Sequence, residues 1–128
     1  MTGSGKKKVL VVDDSATNVI LLEALLQREG FEVITSLTAK EGLKYVENLK
    51  PDLILLDLLM PEVNGFEFME SLHTMEDFKE IPVIIVSAVG TSENKQISKE
   101  LGAINFINKP VDIPSLINMI HNTLGAPV

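Results

Sequence analysis

The chain has 128 residues, 45% of them hydrophobic and 23% charged, and carries a formal net charge of −7. That suits one globular domain, and the acidic balance argues against nucleic acid as a direct partner, because phosphate neutralisation needs a basic face. The absence of cysteine excludes disulfides, thiol catalysis and cysteinyl metal sites and suits a reducing, cytoplasmic setting, and no apolar run reaches the ~18 residues of a membrane span.

Residues 1–5 (MTGSG) read as a flexible leader or a cloning scar, with too little apolar sequence behind them for a signal peptide. A first strand is predicted at Val9–Val12 (VLVV), then a helix over Ser15–Glu29 with Val19, Leu22, Leu25 and Leu26 on one face. A second, mixed strand follows at Phe31–Thr35. The next helix, Thr38–Leu49, opens with Thr38 and Glu41 at capping-box spacing. Leu53–Leu56 (LILL) is a third strand, and Phe66–Met75 a third helix with Phe66, Met69 and Leu72 in step. Val83–Val86 (VIIV) is the fourth strand and Ser92–Leu101 the weakest helix. A mixed strand at Ala103–Asn108 leads to a last helix, Ile113–Leu124, with Asp112 as its expected N-cap and Pro114 in its first turn. Gly30 and Gly102 stand where left-handed helix ends belong, Gly125 closes the last helix, and 126–128 read as a frayed tail. The folded domain is thus 6–125.

Continuous β-branched runs suit strands covered on both faces of a parallel sheet. Five βα units make a three-layer α/β sandwich. With the three continuous strands central and the two mixed ones at the rims, the order is 2-1-3-4-5, that of flavodoxin-like folds. Ligands of such sheets bind at the carboxyl ends, where the chain reverses between strands 1 and 3.

Asp13 and Asp14 follow strand 1, Asp57 follows strand 3, Ser87 follows strand 4, and Asn108, Lys109 and Pro110 follow strand 5. A single Asp at a strand end is ordinarily a cap or turn residue. Three of them converging with a lysine on one sheet edge are hard to assign to capping alone. Neighbouring carboxylates repel one another, and a hard divalent cation relieves that repulsion; Mg²⁺ accepts a few carboxylates and keeps several waters, which leaves an open edge for a phosphate.

These segments carry a resemblance. VLVVDD (9–14), LILLDLLMPEVNG (53–65), VIIVSA (83–88) and GAINFINKP (102–110), in this order and spacing, resemble the receiver domain of two-component response regulators. The resemblance covers about Lys7 to Leu124. It implies that Asp57 accepts a phosphoryl group from a histidine of a sensor kinase or phosphotransfer protein, and that Asp14, Asp57 and the Leu59 carbonyl bind Mg²⁺, with Asp13 acting through water. It further implies that Lys109, Ser87 and the Ala88 N–H hold the phosphoryl oxygens, that Ala88 leaves room for the group, and that Lys109–Pro110 is cis. The domain would then be a signalling switch for a downstream target or fused output domain, and no enzyme beyond its own phosphorylation and slow dephosphorylation. Ser87 would move toward the phosphoryl group and Phe106 would fill the space it leaves.

Two departures from the commoner pattern stand out: phenylalanine in place of a switch tyrosine at 106, and serine in place of threonine at 87. Apolar Leu59 and Val89, each two residues past an active position, are expected to shield the acyl phosphate. Asn18 and the leucine-rich helix around it resemble receivers of hybrid kinases and phosphorelays. The last helix carries no Asp, Glu, Lys or Arg, which suggests a neutral contact surface, and the chain's end just after it suggests a single-domain regulator or an excised receiver. His73, Asn118, His121 and Asn122 are expected to face water. A dehalogenase-type phosphatase would want a second Asp where Leu59 stands, a binding-only receiver would lack Asp57 or Lys109, and neither a dinucleotide nor a flavin loop follows strand 1.

Overall fold

The computed structural model describes residues 6–60 and 62–125; the expectations for 1–5 and 126–128 lie outside them. Ten elements alternate strictly. They are β1 (Lys8–Val12), α1 (Ala16–Arg28), β2 (Glu32–Ser36), α2 (Ala39–Leu49), β3 (Leu53–Leu56), α3 (Gly65–His73), β4 (Val83–Ser87), α4 (Ser92–Glu100), β5 (Asn105–Asn108) and α5 (Ile113–Leu124). The strands form one parallel sheet in the order β2-β1-β3-β4-β5. Rims and centre are as expected: β1, β3 and β4 are buried along almost their whole length, while β2 and β5 keep exposed or half-buried positions.

Alternation along the strands divides the core in two. Val9, Val11, Leu53, Leu55, Ile84 and Val86 face α1 and α5, where Val19, Leu22, Leu26, Leu116 and Ile120 meet them. Leu10, Val12, Ile54, Leu56, Val83 and Ile85 face the other way, onto Ala39 and Val46 of α2 and Phe68, Met69 and Leu72 of α3. Each fully buried aliphatic side chain contributes roughly 1.5–3 kcal/mol, so these two layers fix the sheet and hold its carboxyl edge level.

Local signals set most boundaries. Ser15, Thr38, Asn64 and Thr91 each accept a bond from the N–H three residues on, capping α1, α2, α3 and α4. The full reciprocal capping box forms at Asn64 and Glu67, a pair at the diagnostic spacing that the sequence reading passed over. Gly30 and Gly102 take left-handed φ of 94° and 101°.

Several expectations need correction. Asp112 is the N-cap of α5 as expected, but its carboxylate makes no bond to a backbone N–H and accepts from the Ser115 hydroxyl instead. α2 ends on Lys50 at φ 49°, a left-handed stop without a glycine. β5 begins at Asn105 rather than Ala103, because the Ala103 N–H is spent on Ser98 O at the end of α4. α4 buries only Ser98 fully, while Ile97 and Leu101 are half-buried. His73, Asn118 and Asn122 are exposed as expected, but His121 is not. Its ring lies 5.8 Å from that of Phe31, and its Nε2 is buried 3.9 Å from Glu29 Oε1. Helical periodicity placed it on a polar face; the C-terminus of α1 folds over that face.

Candidate functional site

The sheet's hydrogen-bond ladder runs one residue past β1, β3 and β5 and fixes the backbone of the site. Asp13 N donates to Ser36 O at 3.1 Å, Asp57 N to Val12 O at 2.9 Å and Lys109 N to Ser87 O at 3.0 Å. Two carboxylates and one ammonium are thereby brought to one crevice by the sheet, and Asp14 follows Asp13 into it. Oxygens of Asp13, Asp14 and Asp57 lie within 4.8 Å of one another. Asp13 and Asp57 are buried, at 3% and 5% exposure, and Asp14 is open to solvent.

Each buried carboxylate has defined partners. Asp13 Oδ1 accepts from Ser15 N at 2.9 Å, and its Oδ2 from Lys109 Nζ at 2.8 Å. Asp57 Oδ1 accepts from Leu59 N at 3.2 Å, and its Oδ2 from Lys109 Nζ at 3.4 Å. Asp13 therefore neither caps α1 nor stands free: it shapes the turn into Ser15, which is the cap.

Burial pushes the Asp57 carboxyl above the usual carboxylate range. Lys109 and the Leu59 N–H pull it down, Asp13 adds to the rise, and the net is upward. Burial alone would lower the Lys109 ammonium; its bond to Asp13 and the charges of Asp13 and Asp57 outweigh that and hold it above the ordinary lysine value. One lysine bridging two buried acids leaves excess negative charge, with exposed Asp14 beside it. An all-oxygen donor set of this kind, open on one side, fits a hard divalent cation such as Mg²⁺.

Ser87 is fully buried at the end of β4, and its Oγ accepts from Val89 N at 3.4 Å, which leaves the hydroxyl proton to donate. Ala88 is exposed beside it. The Lys109–Pro110 bond is cis. Leu59 is 55% exposed and Val89 half-buried; with Asp14, Leu58, Met60 and Asn94 they line a cavity of about 520 Å³ beside the acids. Phe106 is half-buried against the core layer of α2 and α3, with Lys95 Nζ 5.7 Å from its ring centre. One neighbour escaped the sequence reading: the side chain of Asn108 lies directly on Gly90 of the β4–α4 loop. No local pattern encodes it, because the pair is joined only by the β4–β5 register.

Fold and crevice together define a class: a flavodoxin-like α/β domain whose switch point holds clustered aspartates bridged by a lysine. Known proteins sharpen this. The pattern of the response regulator receiver domain matches residues 9–121. Protein PilH of Pseudomonas aeruginosa is 34% identical over 118 residues, covering 92% of this chain and 98% of that protein. The polar-differentiation response regulator DivK of Brucella ovis is 34% identical over 119 residues, covering 93% and 97%. Among solved structures, the Vibrio cholerae chemotaxis protein CheY4 superposes with a TM-score of 0.88 at 29% identity, covering 93% of this chain and 99% of that one. The chain belongs to the response regulator receiver family, the signalling domains of two-component systems. Among the described residues, no helix is long and apolar enough to cross a membrane.

Proposed function

We propose that the domain is a phosphoacceptor switch of the cytoplasm and that Asp57 is its acceptor. The observation that carries this reading is the position of Asp57: it directly follows the central strand β3, it is buried, and it shares Lys109 with Asp13. An Asp57 oxygen attacks the phosphorus of a phosphohistidine on a sensor kinase or phosphotransfer protein. The new P–O bond forms as the P–N bond breaks, and the freed imidazole nitrogen takes up a proton.

Asp13, Asp14, Asp57 and the Leu59 carbonyl would hold Mg²⁺, Asp13 through water. When bound, the ion supplies neutralisation of charge on the transferring oxygens. The chain's own groups do the rest. Phosphoryl transfer depends mainly on positioning and charge stabilisation. Lys109 offers its ammonium on the far side of Asp57, and its tie to Asp13 keeps it pointed inward. Ser87 has a hydroxyl proton free for a phosphoryl oxygen, the Ala88 N–H is next in line, and the small Ala88 side chain leaves the entrance clear. The acyl phosphate then adds roughly two negative charges at the rim. Ser87 moves toward them, and Phe106 fills the space behind it.

The neutral α5 surface and the leucine-rich α1 around Asn18 favour a phosphorelay-type partner, with a downstream target or fused output domain reading the change. The protein catalyses only its own phosphorylation and slow dephosphorylation. The decisive experiment is intact mass after incubation with Mg²⁺ and acetyl phosphate. A metal-dependent gain of one phosphoryl group, lost in Asp57→Asn and with EDTA, is expected. No gain in a folded, Mg²⁺-binding protein would leave a strict need for the kinase or a binding-only receiver.

A further inference from the structure

The loop from β4 to α4 carries Ser87 and Ala88 into the site, and two asparagines hold it from opposite sides. On one side, Asn94 of α4 donates from Nδ2 to Val89 O at 2.8 Å, while its own N–H is taken by Thr91 Oγ1 at 3.1 Å. On the other side lies Asn108, the last residue of β5 and the neighbour of Lys109, paired in register with Ser87. A Cβ built on Gly90 would stand 1.6 Å from Asn108 Oδ1 and 2.7 Å from its Cγ. The Asn108 oxygen thus occupies the space where a side chain of residue 90 would begin, against the Cα of Gly90. Gly90 is not among the residues with left-handed φ, so its backbone would accept any L-residue. The nearest obstacle to a side chain there is the Asn108 carboxamide, which is exposed and would have to swing aside.

We infer that Asn108 and Gly90 form an interlock that holds the β4–α4 loop in its observed position and so sets the ease with which Ser87 moves toward Asp57. They are positioning residues: neither touches the reacting atoms. The inference rests on the proposed role of Asp57 and Ser87. The contact joins the loop to the strand that leads into Lys109, so an advance of the loop on Asp57 has to displace the Asn108 carboxamide from Gly90. A contact made in one of two states biases the equilibrium toward that state, and its removal favours the other. Losing it by either route, Asn108→Ala or Gly90→Ala, frees the same motion.

A double-mutant cycle tests this on the full chain. Backbone amide relaxation dispersion over residues 87–91, with no phosphodonor present, is expected to show more exchange in each single variant than in wild type. With Mg²⁺ and acetyl phosphate, each single variant should take up phosphate roughly two- to fivefold faster, the scale of one Cα–H···O contact. The double variant should match the singles, since the interlock can be lost only once. Unchanged dispersion, slower uptake in either single variant, or effects that add in the double variant would overturn the interlock. Failure of the wild type itself to take up phosphate would instead strike the proposed function, while the dispersion still judges the interlock. Thermal melts of all four proteins confirm that folding is intact.

Discussion

Two loops flank the crevice, and they are built differently. The loop after β3, which carries Asp57, is held by backbone bonds at both ends, with side-chain bonds added at Leu59 and at the start of α3. Asp57 N bonds to Val12 O, Gly65 N bonds back to Leu58 O at 3.1 Å, and the Asn64–Glu67 box closes the start of α3. The segment from Ser87 through the loop after β4 also has backbone bonds, from Lys109 N to Ser87 O and from Thr91 N to Val89 O at 2.9 Å, but side chains supply more of its contacts: the Ser87 hydroxyl, the Asn94 carboxamide and Asn108 against Gly90. Backbone bonds to neighbouring strands break only when the sheet does; side-chain contacts give way by a change of rotamer. The acceptor loop therefore leans more on backbone, and the loop beyond Ser87 more on side chains that can adjust.

The same substitution on the two loops breaks this comparison most sharply. A Cβ on Gly65 would lie 2.6 Å from Asp57 O and 2.8 Å from Leu58 Cα, both backbone atoms with nowhere to go. Gly65→Ala should cost about 2 kcal/mol in urea unfolding, the scale of overpacking. Gly90→Ala meets only the tip of a side chain and should cost less than about 0.5 kcal/mol. Equal losses would contradict the contrast between a backbone-held and a side-chain-held loop.

Asp57→Asn should have the opposite sign. Folding raises the Asp57 pKa, so the folded state binds the proton more tightly than the unfolded chain. Its ionisation makes no contribution below the unfolded value of about 3.9 and weighs against folding progressively as pH rises through the raised folded value. In EDTA at neutral pH the variant should be more stable than wild type, and the gain should vanish on acidification. A loss of stability at neutral pH would mean that the pairing with Lys109 outweighs burial. Slightly smaller is the cap: Asn64→Ala should cost ~1 kcal/mol and loosen the acceptor loop, as read from amide exchange at 58–65.

The sequence was most readable where one physical rule acts alone. Continuous LILL and VIIV suit two-sided strands, and their order put Asp13, Asp57, Ser87 and Lys109 on one edge. Boundaries slipped where two elements compete for one backbone group, as at Ala103, whose N–H closes α4 instead of opening β5. His121 was misplaced because helical period says which side of α5 it occupies, but not that Glu29 and Phe31 cover that side. The Asn108–Gly90 contact depends on register between two strands, to which a linear pattern is blind.

The smallest expected effect concerns water. Leu59 and Val89 stand on opposite loops, two residues beyond Asp57 and Ser87, and line the same cavity beside the acids. Hydrolysis of an acyl phosphate needs a water aligned with phosphorus, and neither side chain offers a hydrogen bond to hold one. The phosphorylated protein should therefore lose its group slowly, measured as decay of the phosphorylated mass after removal of donor. Because Leu59 is 55% exposed, Leu59→Asn should leave stability within about 0.5 kcal/mol of wild type while shortening that lifetime. Val89→Asn should act less, since Val89 is half-buried on the loop that moves. Fast decay in the wild type at neutral pH would show that the two apolar residues do not keep water from the phosphoryl group.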